Sequence, residues 1–118
     1  MWSITMIDKH TAEHYMWAAG CDGWHLVKNG DLSVIHERMA PGTYEALHFH
    51  RQSRQFFFVL SGALTLDING KREVLRSLQG AEIAPGAPHQ VINESGEDVE
   101  FLVISQPASH GDRVLVIP

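Results

Sequence analysis

A single cysteine, Cys21, is all the 118-residue chain carries, so no internal disulfide is available and nothing points to an oxidising compartment. Long apolar runs are absent too. No stretch approaches the roughly 20 residues of a membrane span, and the opening MWSITMIDKH lacks the basic-then-apolar order of a secretory leader. Basic charge is scarce, with nine Lys and Arg against fourteen Asp and Glu, for a formal charge of −5. The only gathered cations are Lys71-Arg72 and the pair Arg51 and Arg54, too sparse to track a phosphate backbone. These absences argue against nucleic acid and membrane as partners, and a cytoplasmic protein is the expectation. No repeat or low-complexity tract breaks the chain. Its length suits one domain over residues 1–118, and a 44% hydrophobic composition is enough to close one core.

Helical stretches are also missing from most of the sequence. Only TAEHYMWAA, near the start, offers a short helix. From residue 31 the pattern is short strands and turns. DLSVIHERM alternates, with Leu32, Val34, His36 and Arg38 on one side and Ser33, Ile35, Glu37 and Met39 on the other. YEALHFH, QFFFVL, ALTLDI, KREVLRSL, EIA, HQVIN, VEFLVIS and RVLVI follow, punctuated by Gly and Pro, with Asn69-Gly70 as a hairpin signal. Short strands spaced about ten residues apart indicate an all-β sandwich or barrel. Residues 31–105 would form the barrel and residues 1–30 an N-terminal arm or lid.

What the chain has in excess is histidine, eight residues in all. His48 and His50 are two apart, so a strand would place both on one face, together with Tyr44 and Ala46. On the next strand Gln55, Phe57 and Val59 share a face, and His89 opens a later one. Three imidazoles and one oxygen suit a divalent metal with positions left for water or substrate.

GTYEALHFHRQSRQFFFVLSG resembles the first motif of the cupin family, G-x5-H-x-H-x4-E-x6-G, through Gly42, His48, His50 and Gly62. Gln55 stands where that family has Glu. PGAPHQVIN resembles the end of the second motif through Gly86, His89 and Asn93, whereas Gly80 and Ala84 depart from its earlier half. The resemblance implies a double-stranded β-helix, or jelly-roll barrel. It implies a divalent ion (zinc, nickel, iron or manganese) held by His48, His50, Gln55 and His89. It also implies a small-molecule substrate or ligand, since dioxygenase, isomerase and cyclase or lyase cupins share this site. The alternative is a non-catalytic module binding a small ligand or metal.

Replacing a carboxylate by the neutral Gln55 lowers metal affinity and raises the Lewis acidity of an ion that stays. Tyr44 and Phe57 share the ligands' parity and are candidate pocket residues, as are Asn93 and Trp24, the latter in the loop-like GCDGWH. Leu47, Phe49, Phe56, Phe58 and Leu60 are expected to form a second apolar face, which a homodimer would cover.

Overall fold

The computed structural model describes residues 2–117, and among them there is no helix. Eleven strands account for the regular structure: β1 (Glu13–Ala18), β2 (Cys21–Lys28), β3 (Ser33–Met39), β4 (His48–His50), β5 (Arg54–Ser61), β6 (Ala63–Ile68), β7 (Lys71–Arg76), β8 (Gly80–Ile83), β9 (His89–Ile92), β10 (Val99–Gln106) and β11 (Arg113–Leu115). They form two antiparallel sheets, one of six strands ordered β1-β2-β3-β10-β5-β8 and one of five ordered β11-β4-β9-β6-β7. This is a jelly-roll barrel, as the strand spacing and the motifs indicated.

Period-two alternation decides what fills it. Gln55, Phe57 and Val59 of β5 and Val99, Phe101, Val103 and Ser105 of β10 are buried, and their neighbours in sequence face outward. Met39, Val59, Leu64, Leu66, Val91, Val99 and Phe101 are wholly enclosed and close the core. The polar inward residues Ser33, Gln55 and Ser105 lie in register with one another on β3, β5 and β10, so the barrel is apolar at one end and polar at the other. Asn69 and Gly70 both adopt positive φ, as the two-residue β6–β7 hairpin requires. Gly62, also at positive φ, brings the chain so close to β10 that a Cβ would lie 2.6 Å from the Asp98 carbonyl oxygen.

Two expectations are corrected. The segment expected as a helix is β1. His14 and Met16 alternate with Tyr15 and Trp17 along it, and pairing with β2 satisfies its backbone, which outweighs a weak helix propensity. Residues 13–28 are therefore two strands of the larger sheet rather than a lid. The expected single apolar face does not exist either. Leu47 and Phe49 belong to the β4 side, in the five-stranded sheet, and Phe56, Phe58 and Leu60 lie on β5 in the six-stranded one. The chain crosses between sheets at residues 51–53, so β4 and β5, consecutive in sequence, are not neighbours.

Candidate metal centre

Strand β4 holds His48 and His50 on its inner face, and His89 opens β9 directly opposite His48 in the ladder. The three are 4%, 5% and 1% exposed, and each offers a ring nitrogen within 4.8 Å of those of the others. That spacing allows one ion to be shared.

Each ring is also fixed in tautomer. The Nδ1 of His48 lies 2.7 Å from the Ala46 carbonyl, that of His50 3.1 Å from the Asp112 carbonyl, and that of His89 2.9 Å from the Ala87 carbonyl. A carbonyl only accepts, so Nδ1 carries the proton and Nε2 keeps its lone pair for an ion. Burial lowers the pKa of all three, that of His48 to about 4, and so holds them neutral. Neutral imidazoles with free Nε2 atoms are what a divalent cation requires.

Gln55 completes the group from the opposite sheet. Its Nε2 donates to Ser105 Oγ at 3.0 Å, and its Oε1 lies 3.0 Å from His89 Nε2. With the His89 proton on Nδ1, two acceptors face one another there, an arrangement that a cation between them relieves. The donor set therefore fits a divalent ion.

The turn after β4 is held by the C-terminal segment. Asp112 accepts backbone N–H bonds from Arg51, Gln52 and Ser53, at 3.0, 2.9 and 2.9 Å. These donors keep its carboxyl below the ordinary aspartate range. Ser53 Oγ donates to the Pro107 carbonyl at 2.7 Å. His50 is thus positioned by residues about 60 positions away.

His48 and His50 open onto a cavity of about 440 Å³, with His89 buried beside them. Tyr44, Gln55 and Phe57 line it as expected from parity, Tyr44 at the rim with 67% exposure and Phe57 buried. Trp24 does not. It lies on the outer face of the six-stranded sheet, its ring centroid 5.4 Å from those of both His14 and His36, because alternation along β2 turns Gly23 and His25 inward instead. Asn93 is fully buried away from the cavity, where its amide donates to the Met39 and Glu97 carbonyls and its Oδ1 accepts from Ser95. It ties a turn and lines no pocket.

The cavity wall also holds Tyr15, Trp17, Glu45, Ser105 and Arg113, which sequence reasoning left out of the site, and Glu37, which the sequence, with Tyr44 and His36, offers only as a distant acid or base candidate. Burial raises the Glu37 pKa to about 8, helped by the neighbouring Glu45, and raises that of Glu45 to about 7. Arg113 opposes both shifts. The Tyr15 phenol is pushed up by burial and by Glu37. Alternation along β3 set Glu37 on the side of Ile35 and Met39, and the structure turns that side inward. Beyond Tyr15, Ile35 and Ser109 lies a second space of about 730 Å³ that shares these three residues.

A pair of strand-borne histidines and a third on an adjacent strand form one cluster at the cavity, and the defining pattern of the cupin domain matches residues 35–105. The chain belongs to the cupin family. This cupin is 33% identical over 100 residues to the oxidoreductase macE of Penicillium terrestre, a match covering 80% of the chain. It spans only 38% of that longer relative. Among solved structures it superimposes on the polyketide cyclase RemF of Streptomyces resistomycificus with a TM-score of 0.82 and 17% identity, covering 98% of this chain and 87% of that one. KdgF from a Halomonas species gives a TM-score of 0.81 at 15% identity, covering 90% and 96%. At such identities these two likenesses establish the fold alone.

Proposed function

We propose that this cupin is a metal-dependent enzyme acting on a small organic substrate through an oxygen atom of that substrate. The observation that carries this reading is the cluster of three neutral imidazoles, two of them lining a cavity that also holds two carboxyls. His48, His50 and His89 would hold a divalent ion, with Gln55 Oε1 as a fourth, neutral donor. An ion bound there supplies positive charge that polarises a substrate carbonyl or enol oxygen. The chain's own residues do the rest. Phe57, Ile35 and Val103 give the cavity an apolar wall that limits water around the reacting atoms. Trp17 belongs to the same wall, and its indole N–H is buried without a hydrogen-bond partner. Glu37 and Glu45 hold protons near neutral pH. The names of the relatives, an oxidoreductase and a polyketide cyclase, fit chemistry at an activated oxygen.

A second reading, a non-catalytic ligand-binding module, is favoured by one contact. With its amide reversed, Gln55 would donate to His89 and accept from Ser105, which closes the hydrogen bonds without an ion. Metal analysis of protein purified without added metal separates the two readings. About one divalent ion per chain, with a spectrum showing nitrogen ligation, is expected. A protein free of metal that also fails to take up zinc at micromolar concentration would leave the binding module standing.

The same reading includes a homodimer, formed on a face different from the one the sequence suggested. On the outside of the six-stranded sheet Phe56 pairs with Ile104 and Phe58 with Leu102, which makes a contiguous apolar patch. Trp2, Ile4 and Met6 alternate along the N-terminal segment and are 100%, 92% and 88% exposed, so a second copy has apolar surface to cover there too. Sedimentation velocity at micromolar concentration is expected to show a dimer that Phe56→Ser with Ile104→Ser converts to monomer. A monomeric wild type would refute it.

A further inference from the structure

Three strands place Tyr15, Gly23 and Glu37 side by side across the larger sheet, in the register Tyr15↔Gly23↔Glu37. The missing side chain in the middle matters. A Cβ on residue 23 would overlap the Tyr15 phenol, whose ring lies across the glycine. The phenol thereby reaches Glu37, with its hydroxyl 3.5 Å from Oε1. Tyr15 and Glu37 both line the cavity that holds His48 and His50. Glu45, the other carboxyl, is tied down differently, since its Oε1 accepts the Val91 backbone N–H at 3.1 Å. Among the described residues Glu37 has no side-chain partner except Tyr15, so its second oxygen is free toward the cavity.

Building on the metal-dependent reading above, we propose that Glu37 is the proton-transfer group of this site, that Tyr15 is its positioning residue, and that the substrate is an enolisable carbonyl compound with its oxygen at the histidines. In the step, a Glu37 carboxylate oxygen takes a proton from the carbon beside the carbonyl. The C–H pair becomes the C=C bond of an enolate, and the carbonyl π pair moves to oxygen. Glu37, now carrying the O–H, returns that proton, or one it has exchanged with solvent, to the same carbon as the carbonyl re-forms, or to the enolate oxygen to give the enol. Atoms and electrons balance with no oxidant or co-reactant. A group that both takes and gives a proton works best with both forms populated at the working pH, and a carboxyl raised to about 8 is so placed. The charged and titratable groups sharing its cavity are Tyr15 on β1, Tyr44 and Glu45 before β4, His48 and His50 on β4 and Arg113 on β11, with His89 clustered beside the other two histidines.

Two measurements on the full chain test this. In zinc-free protein, difference infrared spectroscopy is expected to show a protonated carboxyl that persists above pH 7, where Glu45 has ionised, in the wild type and is missing in Glu37→Gln. In zinc-loaded protein, proton NMR in D2O follows exchange of the carbon-bound hydrogens of hydroxyacetone. Glu37→Gln should slow the protein-catalysed exchange by about 10² or more with zinc affinity unchanged. Tyr15→Phe removes a bond to the carboxylate form, so the pH of half-maximal exchange should move upward while zinc affinity holds. Equal exchange in Glu37→Gln and wild type would overturn the assignment, as would zinc-bound wild type giving no exchange above solvent. Loss of the infrared difference would overturn it independently of metal. Failure of zinc to bind at all would instead sink the metal-dependent reading, and the proposal with it.

Discussion

Titration of metal-free protein with zinc is expected to give an affinity that rises about ten- to a hundredfold in Gln55→Glu, falls only a few-fold in Gln55→Ala and falls about a hundredfold in His48→Ala. The first effect is electrostatic. Gln55 Oε1 lies 3.0 Å from His89 Nε2, so a carboxylate at this position would stand beside the dication and add a charge attraction that a neutral amide lacks. Solvent screening reduces that gain and does not cancel it, because Gln55 is 6% exposed. The alanine variant loses one weak donor, and water can replace it. The histidine variant loses more. Zinc held by four protein ligands is worth about 10–16 kcal/mol, so one ligand carries roughly 3 kcal/mol, or about two orders of magnitude. Titration calorimetry at constant pH measures all three. Equal affinities for Gln and Glu at position 55 would mean that this side chain does not touch the ion. An unchanged affinity in His48→Ala would remove the metal centre altogether.

Metal-free protein should lose stability as pH rises from 6.5 to 8, whereas below 6.5 two sets of groups act in opposite directions. On the alkaline side the glutamates act. Folding raises Glu37 from 4.5 to about 8 and Glu45 to about 7, so the folded state binds more protons, and this stabilisation is lost as pH rises through those values. On the acid side the histidines act. His48 is lowered from 6.5 to about 4, and His50 and His89 are lowered too, so the unfolded chain takes up protons that the folded one refuses. That contribution is present above 6.5 and lost as pH falls below it. Between pH 4.5 and 6.5 the three histidines and the two glutamates oppose one another. At about 1.4 kcal/mol per proton per pH unit, the alkaline loss from pH 6.5 to 8 is about 2 kcal/mol. Urea melts of chelator-treated protein at pH 5, 6.5 and 8 provide the check. Glu37→Gln should flatten most of the alkaline fall. Stability that stays level or climbs from 6.5 to 8 in the wild type would contradict the burial of both carboxyls.

The strand-by-strand pattern was legible because burial on one face imposes a period of two, and most of the chain obeys it. Gln55, Phe57 and Val59 point inward together, as do Ile35, Glu37 and Met39, and Asn69-Gly70 turns the hairpin its residues favour. The His48-x-His50 pair carried its own face with it. Where the chain leaves the ladder, parity stops predicting. Tyr44 makes only an isolated bridge and residues 45–47 are not in a strand, so Glu45, placed by alternation on the side opposite His48, enters the same cavity.

The sequence by itself determined the all-β architecture, the jelly-roll family and the three histidines, because these rest on local periodicity and fixed spacing. Tertiary structure alone decided which strands became neighbours. It set β4 and β5 in different sheets, turned TAEHYMWAA into a strand through pairing with β2, and sent Trp24 outward while Tyr15 crossed Gly23 to meet Glu37. It also brought Asp112 back to hold the turn beside His50. Long-range pairing leaves no periodic trace in a single chain, since either partner's face is satisfied by any complementary strand. The residues that set the chemistry around the histidines therefore became visible only once the sheets had closed.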